Sequence, residues 1–405
     1  MKRKALALIL AAGFVVGSYA TDARVAVMGR QNTPWFYRDE VSVFTNPADM
    51  SLYPNLIYGS FGWVNPDEPG SQFTTLNFHP NDPHFGAMIS YRFSEEENGP
   101  MFSFGAFVNR RDYMVDKLLE AGGRFNGGRD PLDRITLAEP LAKLDLMLGY
   151  DIGNGVALGL GVYTAFQNET YRDRIRNQTE LHKGSFGINW NIEQGLDFEA
   201  SVNGGLTTLK GVPSGEYEST TPATPVSEND YFVRGDVRFF SAVPAINGSF
   251  VPQVSLEYLN LADENIIDLN GGVGVNMNID RGFFWAGLQG VYTQVNGGND
   301  DHHSIGGRLS FGIERNIMWD WFLIRVGGQK ELRLKVDSNN SSNWQENPSS
   351  NGYDNDLVGL GFGINIDNRL RIDFVASEDL PYTFTNLISG NMHHLFNRVS
   401  ATYRF

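Results

Sequence analysis

Alternation of apolar and polar side chains over long segments is the feature that most constrains this chain. From Ile267 to Ile279 every second residue is Ile, Leu, Gly, Val, Val, Met and Ile. The residues between them, from Asp268 to Asp280, are Asp, Asn, Gly, Gly, Asn, Asn and Asp. Successive side chains of a β-strand point to opposite faces, so the segment has one apolar and one polar face. That arrangement suits a wall with lipid on one side and water on the other.

The same pattern recurs along most of the chain. Other alternating segments are 142–151, 156–163, 322–336 and 358–367. Strands of soluble sandwiches are usually about 5 or 6 residues long. The segment 322–336 is instead long enough for a tilted membrane strand, which needs about 9–11 residues. The fold class predicted is therefore all-β, a transmembrane antiparallel β-barrel.

The connections fall into two sizes, which is the usual asymmetry of outer-membrane barrels. Short turns are predicted at 152–155, 193–195, 280–282 and 367–369. Long polar links are predicted at roughly 111–140, 211–229, 337–355 and 380–392. We expect the short turns on the periplasmic side and the long links outside.

The strand count is bounded by parity. Counting from Leu56 gives about 17 candidates, but an even number is required when both termini lie on the periplasmic side. We therefore expect either 56–64 or 73–79 to lie outside the wall, and we predict about 14 to 16 strands. Met114 to Ala121 is predicted to form a short helix in an external loop, without a functional role.

The first twenty residues have the pattern of a secretory signal peptide, cleaved after Ala20. Residues 2–4 are basic, 5–17 are apolar, and 18–20 end on small residues. An apolar run of about 13 residues is too short for a membrane helix, which needs about 20. The chain has no Cys, which excludes lipoprotein acylation, disulfides and thiolate chemistry.

The net charge of the chain indicates which classes of partner it can bind. The formal net charge is −15, and it becomes −18 when the three basic signal residues are removed. This acidity argues against nucleic acid as a partner. The sequence has no phosphate-cradling loop and no dinucleotide fingerprint, so no cofactor is expected.

The last strand carries a further pattern. One face is formed by Leu395, Val399, Ala401, Tyr403 and Phe405, and the other by Arg398, Ser400, Thr402 and Arg404. A terminal Phe after such alternation resembles the signal by which outer-membrane barrels are recognised for assembly. The resemblance implies that Tyr403 and Phe405 contact the barrel assembly machinery, and that outer-membrane lipids surround the protein.

Residues 21–55 do not alternate. They contain an Ala-Arg-Val-Ala-Val-Met-Gly opening at 23–29. A later element comprises Asp39, Phe44, Asn46, Pro47, Ala48 and Met50. Together they resemble the N-terminal hatch of the long-chain fatty-acid transporter (FadL) superfamily, which includes PorV-type barrels of type IX secretion. The chain departs from the family at Gln31–Tyr37, which is bulky where Gly and Ala usually follow.

The resemblance implies an organisation and a set of site residues. Residues 1–20 would be the signal peptide, 21–55 a hatch or plug, and 56–405 the barrel. The hatch motif would comprise Asp39, Phe44, Asn46, Pro47 and Ala48. We expect Asn46 and Pro47 to have a structural role, because Pro fixes φ and restricts the residue before it.

Glycines recur on the face predicted to look inward. They are Gly159, Gly161, Gly272, Gly274, Gly359, Gly361 and Gly363. Glycine weakens a strand interior, so its repetition indicates a close approach of another backbone, a bend in the wall, or space-making in the lumen.

The lumen is predicted to carry mixed charges. The candidates are Lys143, Asp145, Arg308, Arg325, Arg333 and Arg398. Such charges either line a hydrated pore or neutralise one another against the hatch.

Two pairs of adjacent histidines are candidates for a metal or catalytic site. His302-His303 follows two Asp residues, and His393-His394 lies in another predicted loop. Adjacent residues on a strand point to opposite sides, so these pairs are expected to be solvated and no metal site is predicted. Ser304 beside His303 offers hydrolase residue types, but no spacing fixes a nucleophile, a base and an oxyanion donor. We predict that the protein is not an enzyme.

The resemblance implies a plugged outer-membrane channel for uptake of small hydrophobic molecules. Two alternatives stay open. One is a PorV-like scaffold that binds secreted or surface proteins through its long loops. The other is a general diffusion porin, in which the lumen is not plugged.

Overall fold

The computed structural model describes most of the chain. The described residues are 22–28, 35–62, 83–95, 99–122, 140–171, 174–211, 226–261, 264–297, 301–338, 341–346, 357–367, 369–376 and 396–405. The predicted signal peptide and the segment 73–79 lie outside them. No helix in these ranges is long and apolar enough to cross a membrane.

Nearly all regular structure in the described ranges is antiparallel strand. The strands are β1 (Leu56–Gly62), β2 (His84–Arg92), β3 (Met101–Val108), β4 (Ala142–Gly153), β5 (Val156–Tyr171), β6 (Arg174–Glu193), β7 (Leu196–Gly211), β8 (Val226–Val243), β9 (Gly248–Leu261), β10 (Glu264–Ile279), β11 (Gly282–Asn296), β12 (His302–Asn316), β13 (Phe322–Asp337), β14 (Ser342–Glu346), β15 (Leu357–Ile366), β16 (Leu370–Ala376) and β17 (Phe396–Arg404).

The strands close into a ring. Each pairs with its sequence neighbours, and β1 pairs with both β2 and β17. β14 pairs with one end of β13 and β15 with the other, so the two share one position and the ring has sixteen positions. The predicted antiparallel barrel is confirmed, at the upper limit of the predicted strand count.

The structure places one of the two alternative segments in the wall and corrects one detail of the sequence prediction. Residues 56–62, one of the two segments considered for a place outside the wall, form β1, because Leu56 to Gly62 pair with Arg398 to Arg404. The predicted link 337–355 contains β14, which extends the β13 ladder beyond the wall through pairs such as Leu334 with Trp344.

Helices of the described ranges lie in three places. At the N-terminal side are α1 (Asp22–Val27) and the 3₁₀ helices η1 (Glu40–Phe44) and η2 (Pro47–Leu52). Between β3 and β4 lies α2 (Tyr113–Gly122), and η3 (Pro244–Ile246) forms part of the β8–β9 turn.

The two ends of the barrel differ. One end carries short turns, as at Asn154-Gly155, where both residues have positive φ (56° and 81°). Asn and Gly tolerate this conformation, which tight hairpins require. Phe405 N donates to Asn55 O at 3.2 Å, so both ends of the barrel chain lie at this short-turn end. The opposite, long-connection end carries the links after β1, β3, β7 and β16.

The outer face is apolar. Large apolar side chains exposed on it include Phe85, Leu160, Val162, Val202, Leu206, Leu256, Leu288, Ile305 and Leu309. Their strand neighbours are buried inward, as Ser304 and Ser310 are on β12. A continuous apolar exterior on a closed strand ring is stable against acyl chains, so the protein is an outer-membrane barrel.

Backbone of another part of the chain packs against inward-facing glycines, as one reading of the sequence predicted. A Cβ atom on Gly159 would overlap the backbone of Pro47 and Ala48, and one on Gly359 would overlap that of Val27. The wall is therefore thinned where residues N-terminal to the barrel press against it.

Gly159→Ala should show this contact directly. The added methyl group has no room, so we expect the free energy of unfolding in urea to fall by about 1–3 kcal/mol. Gly184→Ala on the adjacent strand is the control, because the nearest atom to its Cβ would be Gly204 O at 4.0 Å. Equal effects of the two substitutions would contradict the contact.

Candidate functional site in the barrel interior

Among the described residues, two elements lie inside the barrel, and the first is the N-terminal segment, defined as residues 22–28 and 35–55. Its 3₁₀ helices begin at capping residues of the predicted motif. The Asp39 side chain accepts from Val41 N (3.3 Å) to cap η1, and the Asn46 side chain accepts from Ala48 N (3.2 Å) to cap η2. Pro47 follows as the first residue of η2, where its missing N–H costs nothing.

A buried group of charges anchors this segment to the wall. Three guanidiniums meet three carboxylates here, and we call the group the arginine–carboxylate cluster; it comprises Arg24, Arg325, Arg371, Asp39, Glu314 and Asp373. Arg24 bridges the two sides, with Nη1 at 3.0 Å from Asp39 and Nη2 at 2.9 Å from Glu314. Every member is buried, so the charges are balanced by one another and not by water.

A second polar anchor lies on β6 to β8. Arg38 donates to Asp197 (2.9 Å) and Glu199 (2.5 Å) near the short-turn end. Asn46 Nδ2 donates to Asn189 Oδ1 (2.7 Å). These contacts fix the segment to the wall opposite the arginine–carboxylate cluster.

Apolar contacts complete the fit. Phe36 and Tyr37 pack on Trp285 with ring centroids 5.9 and 5.4 Å apart. The Phe36 ring lies where Gly274 and Gly287 leave the wall bare. The bulky residues that depart from the family pattern therefore fill the lumen beside β10 and β11.

A small cavity lies between the N-terminal segment and the wall. The cavity of ≈ 30 Å³ is lined in part by Ser42, Thr45, Asn46, Glu199 and Arg238. This volume accommodates about one water molecule. A cavity of this volume is too small for an organic ligand.

Burial also alters the acidity of the segment. Desolvation, together with the neighbouring Glu199 carboxylate, raises the pKa of Asp49 to about 6. Arg238, Ser42 and Asn189 act in the other direction, and Asn189 Nδ2 donates to Asp49 at 2.7 Å. The carboxylate is thus held in a site that favours its protonated form in mildly acidic solution.

The second inner element is α2, which lies inside the long-connection half of the barrel. Asp112 caps it by accepting from Met114 N at 3.1 Å. Its apolar side chains Met114, Val115 and Leu118 are fully buried. They pack on an apolar stretch of the inner wall, hereafter the apolar wall, formed by Tyr163, Ala165, Leu181, Leu209, Phe232, Leu259 and Leu261.

Charged contacts surround this apolar packing. At the start of α2, Asp112 pairs with Lys183 at 2.5 Å. One turn later, Lys117 pairs with Glu257 (2.9 Å) and Asp268 (3.3 Å). The predicted external helix of Met114 to Ala121 is therefore placed differently: it is internal, because its apolar face finds an apolar partner on the wall.

Beside α2 the wall carries charged residues, of which Glu331 is buried and the others are half-buried. We call Asp268, Arg308, Glu331 and Arg333 the charged stripe, which runs over β10 to β13. Arg308 Nε lies 2.6 Å from Glu331, which also pairs with Arg333. The lumen thus has an apolar side covered by α2 and a polar side.

The structure places the predicted lumen residues on inward faces. Lys143, Asp145, Arg325 and Arg398 are buried, whereas Arg308 and Arg333 are half-buried. Asp145 forms an ion pair with Arg110 at 2.7 Å. Arg110 lies just before α2 in the β3–β4 connection. Arg325 belongs to the arginine–carboxylate cluster, 2.7 Å from Asp373.

Other predicted residues have separate positions. Tyr403 and Phe405 point outward at the short-turn end and are exposed. Phe44 packs edge-on against Phe107, with ring centroids 4.9 Å apart. His303 is exposed outside while Ser304 is buried inside, so the two do not meet. His393 and His394 lie outside the described residues.

Several site residues were missed from the sequence. The partners of α2, Lys183 and Glu257, lie about 70 and 140 residues away from it in the chain. Arg24 lies in the opening at 23–29, but the sequence indicated no role for it. Within the described ranges, no three His, Cys, Asp or Glu residues are arranged to hold a metal ion.

Comparisons with known proteins give structural neighbours only. No family profile and no curated protein matches the chain. A deltaS2S3 mutant of the monoaromatic hydrocarbon channel TodX aligns over 95% of this chain and 99% of its own, with 10% identity and a TM-score of 0.42. A Pseudomonas aeruginosa FadL homologue aligns over 95% and 98%, with 12% identity and a TM-score of 0.41. The Ralstonia pickettii toluene transporter TbuX aligns over 97% and 100%, with 11% identity and a TM-score of 0.38.

One of these neighbours is a homologue of FadL, whose superfamily residues 39–50 resemble. The PorV part of the resemblance stays a prediction. At such identities the alignments assign no function to this chain.

Glu314→Gln should release the N-terminal segment. The substitution leaves three guanidiniums with two carboxylates in a buried site, so we expect a loss of about 3–5 kcal/mol in unfolding free energy. Arg24 and Arg38 should become accessible to trypsin in the folded barrel. Arg315→Gln is the control, because Arg315 forms only an exposed pair with Asp280 at 3.5 Å, expected to contribute less than about 1 kcal/mol. Trypsin resistance of the Glu314→Gln barrel would contradict the anchoring role.

Asp49→Asn should change the pH dependence of stability. The folded-state pKa of about 6 exceeds the ordinary value of 3.8, so the folded protein binds the proton more tightly. The stability contributed by Asp49 is therefore present below about pH 4 and lost as the pH rises through about 6. Urea unfolding at several pH values should show a smaller decline for Asp49→Asn than for the wild type, and identical slopes would contradict this assignment.

Proposed function

We propose that the protein is a plugged outer-membrane channel for uptake of small hydrophobic molecules, with the N-terminal segment as its hatch. The observation that carries this proposal is the placement of that segment across the lumen. It touches β12, β13 and β16 through Arg24 and its partners, and β6 to β8 through Arg38 and Asn46. A chain anchored on opposite walls obstructs a pore.

The hydrophobic substrate class is supported by the apolar wall. Inner faces of barrels that conduct water are polar, yet Leu181, Leu209, Phe232 and Leu259 point inward together. Ligand sites are lined mainly by apolar and aromatic side chains. The names of two neighbours, a monoaromatic hydrocarbon channel and a toluene transporter, suggest aromatic hydrocarbons as the first solutes to test.

A diffusion porin is the second candidate, and the charged stripe favours it. Arg308, Glu331 and Arg333 would line a hydrated path beside α2. This reading predicts permeation of sugars and steady ion conductance with the N-terminal segment in place. The PorV-like scaffold stays a prediction, because most of its predicted binding loops lie outside the described residues. Cleavage after Ala20 and recognition of Tyr403 and Phe405 by the assembly machinery also stay predictions. No catalytic activity is proposed.

Deletion of residues 22–55 tests the channel. The mutant should show ion conductance in planar bilayers, because the lumen of a sixteen-strand ring is wide enough for water when nothing fills it. The wild type should be closed most of the time. Heat-modifiable gel mobility checks that the shortened chain still forms a barrel.

Uptake gives the second measurement. Intact Gram-negative cells with a lipopolysaccharide surface exclude N-phenyl-1-naphthylamine, an apolar probe that fluoresces in lipid. Cells that express the wild-type chain should take up this probe and not a sugar of similar size. Equal conductance of the deletion mutant and the wild type would refute the hatch, and sugar uptake by the wild type would favour the porin.

A further inference from the structure

Helix α2 and the apolar wall together form a site whose present occupant belongs to the chain itself. Ten residues are too few for a helix that is stable in water. Packing on the wall therefore orders α2, and the same wall needs an apolar cover because it faces the lumen. Met114, Val115 and Leu118 supply that cover.

The attachments of α2 are of a kind that water can replace. Apart from its apolar face, α2 is held by ion pairs and a hydrogen bond. Lys117 contacts Glu257 and Asp268, and Tyr113 Oη donates to Glu257 at 2.5 Å. Polar groups that leave such contacts in a wet lumen can be solvated, whereas the bare apolar wall cannot. An apolar ligand on the wall would cover the apolar side chains in place of α2, so the wall would no longer be bare when α2 leaves.

The same attachments connect α2 to the N-terminal segment. The Arg234 guanidinium lies 5.4 Å from the Tyr113 ring centroid and 5.0 Å from that of Trp35. Arg110, at the start of the connection, lies 4.2 Å from the Phe44 ring centroid. Movement of α2 away from the wall would therefore disturb contacts of the hatch.

We propose that the apolar wall is a binding site for a small apolar ligand, and that α2 occupies this site at rest and leaves it when ligand binds. The ligand would contact the rings of Tyr163 and Phe232 and the aliphatic side chains of Leu181, Leu209 and Leu259. The inference rests on the proposed function and adds its regulation: the ligand competes with α2 for the wall.

A reversible cross-link tests the proposal in the folded barrel. The chain has no Cys, so Asp112→Cys with Lys183→Cys gives one reactive pair at the start of α2. A short bis-methanethiosulfonate reagent should bridge it in intact cells. We expect uptake of N-phenyl-1-naphthylamine to fall to the level of cells without the protein, and dithiothreitol to restore it.

The control is Thr164→Cys with His182→Cys, a pair on the outer faces of β5 and β6, whose side chains lie 2.9 Å apart. Its cross-link joins two strands that are already paired, so uptake should not change. Uptake that persists after cross-linking 112 to 183 would overturn the proposal alone. Failure of the wild type to take up the probe would overturn the proposed function as well.

A second pair of variants separates competition from structural support. Met114→Ala with Leu118→Ala weakens the competitor, so half-maximal uptake should require less probe, because more of the protein is competent to bind. Phe232→Ala weakens the wall and should require more probe, whereas the outward-facing Val233→Ala should behave like the wild type. A shift in the same direction for the helix and wall variants would overturn competition.

Discussion

The width of a closed sixteen-strand ring is the constraint on which the rest of the interior depends. Smaller barrels fill their lumen with their own side chains, but at this strand number the side chains no longer meet across the axis. Something else must occupy the space, or water does. Here two additional pieces of chain enter, α1 to η2 at the short-turn end and α2 at the other. Inward glycines such as Gly159 and Gly359 let the first of these pieces approach the wall backbone.

The two inner elements are held in different ways. The N-terminal segment is fixed by the arginine–carboxylate cluster, in which Arg24 joins Asp39 to Glu314. Buried ion pairs are poor evidence of net stabilisation, because desolvation offsets their attraction, but removal of one partner is costly. They therefore specify a position more than they add stability. α2 instead depends on apolar burial, with the buried Asp112–Lys183 pair at its start and the partly exposed Lys117 one turn later.

The wall was predictable from the sequence, and its contents were only partly so. Alternation at 267–279 and 322–336 assigned inward faces to residues such as Arg325, since the strand period is two. The glycine pattern allowed a neighbouring backbone as one of three readings, beside a bend in the wall and space-making in the lumen. The site of α2 had no local signal: an amphipathic stretch of ten residues looks the same on a surface and in a lumen. Glu257 and Lys183 form ion pairs with α2 and its cap, and this pairing could be recognised only from the three-dimensional arrangement of β6 and β9.

The positions where the chain departs from the family pattern have a role that the sequence did not predict. Trp35, Phe36 and Tyr37 stand where small residues usually follow the opening, and they fill the lumen beside Trp285. Trp35 in addition meets Arg234, which faces Tyr113 of α2. A small residue at position 35 would leave that guanidinium without an aromatic partner from the N-terminal segment. The bulk that fills the barrel thus also connects its two inner elements, so neither can move without changing the surroundings of the other.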